Sequence, residues 1–213
     1  MAAHFLELSE DHIAPQGELS LPALAGSRIV YIVAGAVVAD DTTYGENSAF
    51  FGTAACAMQA PTGAQLWRWE LRRDPAPDHP ACKASHAVTL DPREEYFMRC
   101  DRVDFPPQGI AHTHVHAGPG IRILLGGTIR IQVAGAETAL APGEAWFERG
   151  PDPVLALADE KQPTSFIRTM ILPRDYAGRP SIRYTLSADA DKPKVQQYTR
   201  FVEEFIEHLA SGH

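Results

Sequence analysis

Three of the nine histidines stand at alternate positions in one short stretch, Ala111-His112-Thr113-His114-Val115-His116-Ala117. In an extended chain alternate side chains share a face. An extended strand here turns all three imidazoles to one side, where their ring nitrogens can converge on a point. Neutral imidazole is the commonest protein ligand for Zn, Fe, Cu and Ni, whereas three protonated rings on one face would repel. The pattern points to a divalent transition metal (Fe, Mn, Ni, Cu or Zn) held by His112, His114 and His116, with open positions for water or substrate. The alternative is a strand edge with three solvated histidines. Arg122 lies two residues after Gly120 and shares its face if a strand has begun there. A guanidinium beside the histidines suits a carboxylate or an enolate. The competing arrangement has Arg122 facing solvent and paired with an acid such as Glu148. Arg122 and His112, the latter as third ligand or as acid/base, are the candidate catalytic residues.

Other chemistries lack their motifs. The chain has no G-x-S-x-G, no P-loop and no G-x-G-x-x-G, so serine hydrolysis, phosphoryl transfer and classical dinucleotide binding are unsupported. Cys56, Cys82 and Cys100 form no C-x-x-C pair and are odd in number, which suits reduced, mostly buried thiols rather than a zinc ribbon or a disulfide framework. A net charge of −8 argues against a nucleic-acid surface and against docking to anionic membrane. The N-terminus, MAAHFLELSEDH, lacks the basic region of a signal peptide. The most apolar run, Ile29–Ala39, is too short to span a bilayer. The expectation is a soluble, cytoplasmic protein.

The elements that must position the histidines are strands. Gly and Pro, 16 and 17 in 213 residues, fall between short apolar runs, as in antiparallel β proteins. The runs Ile29–Ala39, Ser48–Met58, Ala64–Leu71, His86–Leu90, Tyr96–Phe105, Ile121–Leu125, Thr128–Val133, Glu144–Phe147, Val154–Ala158, Ser165–Leu172 and Ile182–Leu186 read as strands. In Ala64–Leu71 the alternation of Leu66, Arg68 and Glu70 with Trp67, Trp69 and Leu71 predicts a half-buried strand. Trp67, Trp69 and Trp146 read as packing residues. Residues 135–138 read as a hairpin turn. Residues 1–28 have no sustained period and read as a weakly structured arm. Near the C-terminus Val195, Tyr198, Phe201, Val202, Phe205, Ile206 and Leu209 lie on one helical face, which predicts a helix over 193–210 within the segment 191–213.

The stretch Pro106–Gly127, with its H-x-H pair and closing glycine, resembles the first motif of the cupins. Leu140-Ala-Pro-Gly-Glu-Ala-Trp-Phe147 resembles the second, in which a Pro-Gly turn starts a strand leading to a ligand histidine. The resemblance covers about residues 96–172. It implies an all-β fold, a cupin-like double-stranded β-helix (jelly-roll barrel) over 29–190, with an N-terminal extension and one C-terminal α-helix packed on the barrel. With the closing glycine at Gly127, His114 and His116 are the H-x-H pair. The family's glutamate then falls at Gly120 and its last histidine at Val154, so His112 and, more weakly, Glu148 are the residues able to compensate. The resemblance also implies a homodimer, for which the N-terminal arm is an exchange element. Two functions follow. One is a metal-dependent enzyme acting on a small anionic organic molecule by dioxygenase, isomerase or decarboxylase chemistry. The other is a non-catalytic small-molecule binding or sensing protein with a degenerate metal site.

Overall fold

A computed structural model describes residues 2–206. The described residues form two compact units, 2–98 with 204–206, and 99–203. Both are built of antiparallel β-sheet.

The first unit contains β1 (Ala2–Ile13), β2 (Gly17–Leu21), β3 (Gly26–Ala39), β4 (Thr42–Gly45), β5 (Ser48–Gly52), β6 (Cys56–Ala60), β7 (Ala64–Arg72) and β8 (Cys82–Leu90). They form one sheet in the order β2-β6-β3-β7-β1-β8, with β4 and β5 also pairing β3. Val30, Ile32, Val37, Met58 and Leu66 centre its core. The expected arm is therefore strand: Leu6 and Leu8 are fully buried, and β1 pairs both β7 and β8. Its sequence hid this because residues on both faces are buried, which erases the period-2 contrast. β7 departs from the half-buried reading for the same reason. Arg68 and Glu70 are as enclosed as Trp67 and Trp69. They are tolerated because the charges are matched: Arg28 Nε donates to Glu70 Oε1 at 2.7 Å, and Arg68 Nε donates to Asp11 Oδ2 at 2.8 Å.

The second unit begins in β9 (Tyr96–Phe105) and continues through β10 (Ile110–His116), β11 (Gly120–Gly126), β12 (Ile129–Val133), β13 (Ala136–Leu140), β14 (Ala145–Glu148), β15 (Val154–Ala158), β16 (Thr164–Pro173) and β17 (Ile182–Tyr184). After a four-residue helix α1 (Ser187–Ala190) comes β18 (Gln197–Phe205). Two five-stranded sheets result, β13-β12-β15-β10-β17 and β14-β11-β16-β9-β18. Val103, Phe105, Ala111, Leu124, Ile131, Val154, Ala156 and Phe166 pack into one core cluster. The turn joining β12 to β13 has positive φ at Ala134 (49°) and Gly135 (81°), the backbone that matches strand twist in a two-residue hairpin. It starts one residue before the predicted 135–138, and Ala136 already belongs to β13.

Where the sequence predicts a helix over 193–210, the described residues form β18 over Gln197–Phe205, preceded by irregular chain over 193–196. Among the described residues of the apolar stripe only Val202 is well buried, while Val195, Tyr198 and Phe205 are 40%, 48% and 43% exposed. A sheet edge at β9 offers backbone hydrogen bonds and ion pairs that an exposed helix would forgo, and this overrides the local period. Residues 207–210 of that prediction lie outside the described residues.

Candidate functional site

His114 and His116 meet inside the second unit. Both rings are nearly buried, at 5% and 6% exposure. Their Nε2 atoms are 3.2 Å apart and the ring planes are 84° to each other. The carbonyl of His112 accepts a hydrogen bond from His114 Nδ1 at 2.8 Å. A carbonyl only accepts, so Nδ1 carries the proton and the neutral ring presents its Nε2 lone pair inward. Ser181 Oγ lies 3.5 Å from His116 Nδ1. Burial lowers the basicity of both rings, and Arg122 and Arg168 lower His116 further. Both imidazoles are therefore neutral, the form that ligates metal.

His112 is not with them. Between Ala111 and His114 the pairing of β10 with β15 slips, so that Ala111 faces Ala156 and His114 faces Val154. Three residues of β10 then span two of β15, a β-bulge. The bulge breaks the alternation on which the convergence of all three rings depended. Ala111 joins the core, while the His112 ring is partly exposed, with Nδ1 3.9 Å from Asp189 Oδ1. The structure brings together two of the three predicted ligands, and His112 contributes its carbonyl rather than its ring.

Arg122 does face inward, and it does pair with Glu148. The guanidinium is 1% exposed, with Nη2 2.7 Å from Glu148 Oε2 and Nη1 donating to the Gly120 carbonyl at 2.6 Å. Burial pushes its pKa down to about 10, against the pull of Glu148. Glu148 stands directly across from Gly120 on β14 and reaches to 3.4 Å from His116 Nε2. Yet neither Arg122 Nη2 nor Glu148 Oε2 has an aligned hydrogen-bond partner, although both atoms are buried. The contact is an ion pair with unused bonding capacity on each side.

Why the family's glutamate position carries glycine is visible here. A Cβ on Gly120 would meet the backbone carbonyl oxygen of Thr169 at 2.5 Å. β16 passes too close for any side chain, so glycine does not open room at the mouth, and the carboxylate arrives from the neighbouring strand instead. Val154, where the second motif places its histidine, is an apolar core residue opposite His114.

Beside the histidines two spaces differ in scale. A chamber of about 20 Å³ is lined by His114, His116, Arg122, Glu148 and Trp146 among others, room for one water or ion and nothing organic. A cavity of about 410 Å³ shares Arg168, Ile182 and Tyr198 with that chamber. Its wall also carries Arg99, Lys194 and Arg200, against the single carboxylate of Asp101. Arg168 donates to Asp101 Oδ2 at 3.0 and 3.2 Å, and its guanidinium lies 5.3 Å from the centre of the Tyr198 ring. Glu203 takes Arg99 and Arg200, each at 2.8 Å. Burial raises the phenols of Tyr184 and Tyr198, which keeps both as neutral donors. Sequence reasoning found the ring pair but missed this cavity, because Arg99, Asp101, Arg168, Lys194 and Arg200 come from β9, β16, β18 and the loop before β18, and only the pairing of those strands gathers them.

Two observations suit a metal, the paired Nε2 atoms and the one-ion chamber. Glu148 Oε2 lies 3.4 Å from His116 Nε2 and 2.7 Å from Arg122 Nη2, and does not complete a group of three ligand atoms within 4.8 Å of one another. Metal–nitrogen bonds of about 2.0–2.1 Å place adjacent ligand nitrogens roughly 3.0–3.4 Å apart, and 3.2 Å is found. His112 O and Ser181 Oγ stand where outer-shell partners orient ligand rings.

No family model and no curated protein matches the sequence. Solved structures do match in fold. AerE from Microcystis aeruginosa superposes with a TM-score of 0.61 at 13% identity, over 78% of this chain and 88% of that one. Salicylate 1,2-dioxygenase from Pseudaminobacter salicylatoxidans gives 0.55 at 9% identity, over 78% and 70%. Oxalate decarboxylase gives 0.57 at 10% identity, over 77% and 68%. These neighbours are cupin-fold proteins, and this chain has a cupin-like, all-β barrel fold. Residues 99–203 make up about half of the chain, so a match over 78% extends into the first unit. Among the described residues no helix is long and apolar enough to cross a membrane.

Proposed function

We propose that the second unit is a metal-dependent site for a small anionic organic molecule. The carrying observation is the pairing of a one-ion chamber, where His114 and His116 converge, with a 410 Å³ cavity walled by cations. His114 Nε2 and His116 Nε2 would hold a divalent transition metal. Such an ion would supply Lewis acidity, or oxygen chemistry if it is iron.

The chain's own residues do the rest. Arg168 and Lys194, with Arg200 at the rim, attract and orient a carboxylate. Tyr198 and Tyr184 offer neutral donors. Arg122 acts on Glu148, holding its carboxylate beside His116, and is a positioning residue rather than a substrate contact. Two of the fold neighbours are named for carboxylates, salicylate and oxalate, which agrees with this choice of substrate class. Dioxygenase, isomerase and decarboxylase chemistry all remain within it. The second reading, a binding or sensing protein without turnover, draws support from the missing ligands at Gly120 and Val154. A homodimer is part of the proposal on the resemblance alone.

The test is metal content by mass spectrometry after loading with Fe, Mn, Ni, Cu or Zn, wild type beside His114→Ala/His116→Ala. The reading expects the variant to lose one equivalent. It expects small mono- and dicarboxylates to raise the melting temperature of wild type and much less that of Arg168→Gln. No difference in metal content sinks the metal site. Binding of carboxylates with metal but without turnover selects the second reading.

A further inference from the structure

The first unit holds a cluster of ligating side chains that the histidine pair does not use. Glu7 on β1, His79 in the loop before β8 and Cys82 at the head of β8 bring one oxygen, one nitrogen and one sulfur all within 4.8 Å of one another. We propose that Glu7, His79 and Cys82 form a metal site that takes Zn²⁺ through one carboxylate oxygen, one imidazole nitrogen and one thiolate sulfur.

The backbone is arranged to gather these groups. His79 and Cys82 are joined by a turn in which the Cys82 N–H donates to the His79 carbonyl at 3.1 Å. Two ligands three positions apart on one turn is the spacing at which short loops grip zinc. A bulge opposite Leu8 and Ser9 pairs Leu8 with Ala84 but Ser9 with Cys82. With regular pairing Ser9 would face Lys83. The extra residue turns Cys82 onto the face shared by Glu7 and Ser9, the kind of re-aiming for which bulges are used. Glu7 is 3% exposed, and its Oε1 lies 3.0 Å from His79 Nε2 and 3.2 Å from Ser9 Oγ. Oxygen and nitrogen ligands on a common zinc stand roughly 3.0–3.5 Å apart, and zinc–sulfur bonds are about 2.3 Å, so closure asks only a small movement of the thiol. His79 is 31% exposed in its side chain, which gives an ion a way in.

Charge and softness select the ion. A carboxylate and a thiolate neutralise a divalent cation, which is the condition for holding it in a partly buried place. Sulfur with imidazole favours Zn²⁺ over Mg²⁺ or Ca²⁺. On binding, the thiol proton passes to solvent, a zinc–sulfur bond forms, and zinc sheds water.

Co²⁺ is the spectroscopic probe, added to full-length protein carrying His114→Ala/His116→Ala so that the second unit's pair contributes nothing. The expected result is a thiolate-to-cobalt charge-transfer band with about one equivalent of metal. The band is lost in Cys82→Ser, and affinity falls at least about tenfold in His79→Ala. In otherwise wild-type protein, Zn²⁺ slows alkylation of Cys82 by iodoacetamide and leaves Cys56 unchanged. The protection experiment decides alone if a variant does not fold. Absence of a band together with an unprotected Cys82, or a band that survives Cys82→Ser, overturns the proposal.

Discussion

Replacing Glu148 by alanine tests the most enclosed charge in the site. Arg122 is 1% exposed, and Glu148 is the carboxylate against it, 2.7 Å away. Its direct cross-strand neighbour, Arg168, carries the same sign. Removing Glu148 leaves a buried guanidinium with one backbone acceptor, the Gly120 carbonyl, and a second cation beside it. Stranding one partner of a buried pair costs about 3–5 kcal/mol. With a urea m-value of roughly 2 kcal/mol/M the midpoint falls by about 1.5–2.5 M. The assay is urea unfolding followed by Trp146 fluorescence in a chain carrying Trp67→Phe/Trp69→Phe, with chelator present so that metal does not mask the effect. The control is the double replacement Arg122→Met/Glu148→Leu. It removes both charges and fills the space, and is expected to lie within about 1.5 kcal/mol of the parent. A loss below about 1 kcal/mol for Glu148→Ala, or a double variant no more stable than the single one, would refute the idea that this pair is desolvated and mutually dependent.

Three further outcomes are expected. His114 and His116 are held below the ordinary value of 6.5 by burial, so the unfolded chain binds protons that the folded one refuses. Stability is then complete above about pH 6.5 and falls as the pH drops below it, by up to about 1.4 kcal/mol per pH unit for each ring; a metal-free melting profile flat from pH 7.5 to 5 would contradict this. Gly120→Ala forces a methyl group against Thr169 O at 2.5 Å and is expected to cost about 1–3 kcal/mol in denaturant unfolding; an unchanged midpoint would show that β16 yields freely. The Cys100 thiol is fully buried and pushed far up by desolvation. Mass mapping after iodoacetamide treatment of native protein should find it unmodified, and rapid labelling would mean that β9 opens.

Much of the strand pattern was legible because turn residues bound short apolar runs, and in Val154–Ala158 buried residues alternate with half-buried ones. Tyr96–Phe105 and Val154–Ala158 were placed as the structure has them. What escaped shares one cause, namely interactions that no local period records. β1 is enclosed on both faces. β18 owes its conformation to β9, whose partner side chains lie about a hundred positions earlier. At the site, the shared face of His114 and His116 followed from alternation, whereas for Arg122 alternation left the inward and the Glu148-paired arrangements open as alternatives. The separation of His112 did not follow from it, because a single extra residue in a ladder leaves no mark on composition. Glu148 was visible only as a nearby acid, and its register opposite Gly120 made it a neighbour of His116.

The lateness of β18 has a consequence for how the protein is made. Arg99 is matched by Glu203, 104 positions later. On a ribosome, the flank of β9 that β18 will cover emerges early and waits for nearly all of the intervening sequence to be synthesised. During that interval it presents unpaired backbone groups and a buried-to-be guanidinium lacking its carboxylate, a template for pairing with another nascent chain. The charges on this edge, Arg99 and Asp101, which Glu203 and Arg200 of β18 later match, therefore have a second use before the site exists. They make the open edge a poor partner for anything except the strand that carries the complementary set.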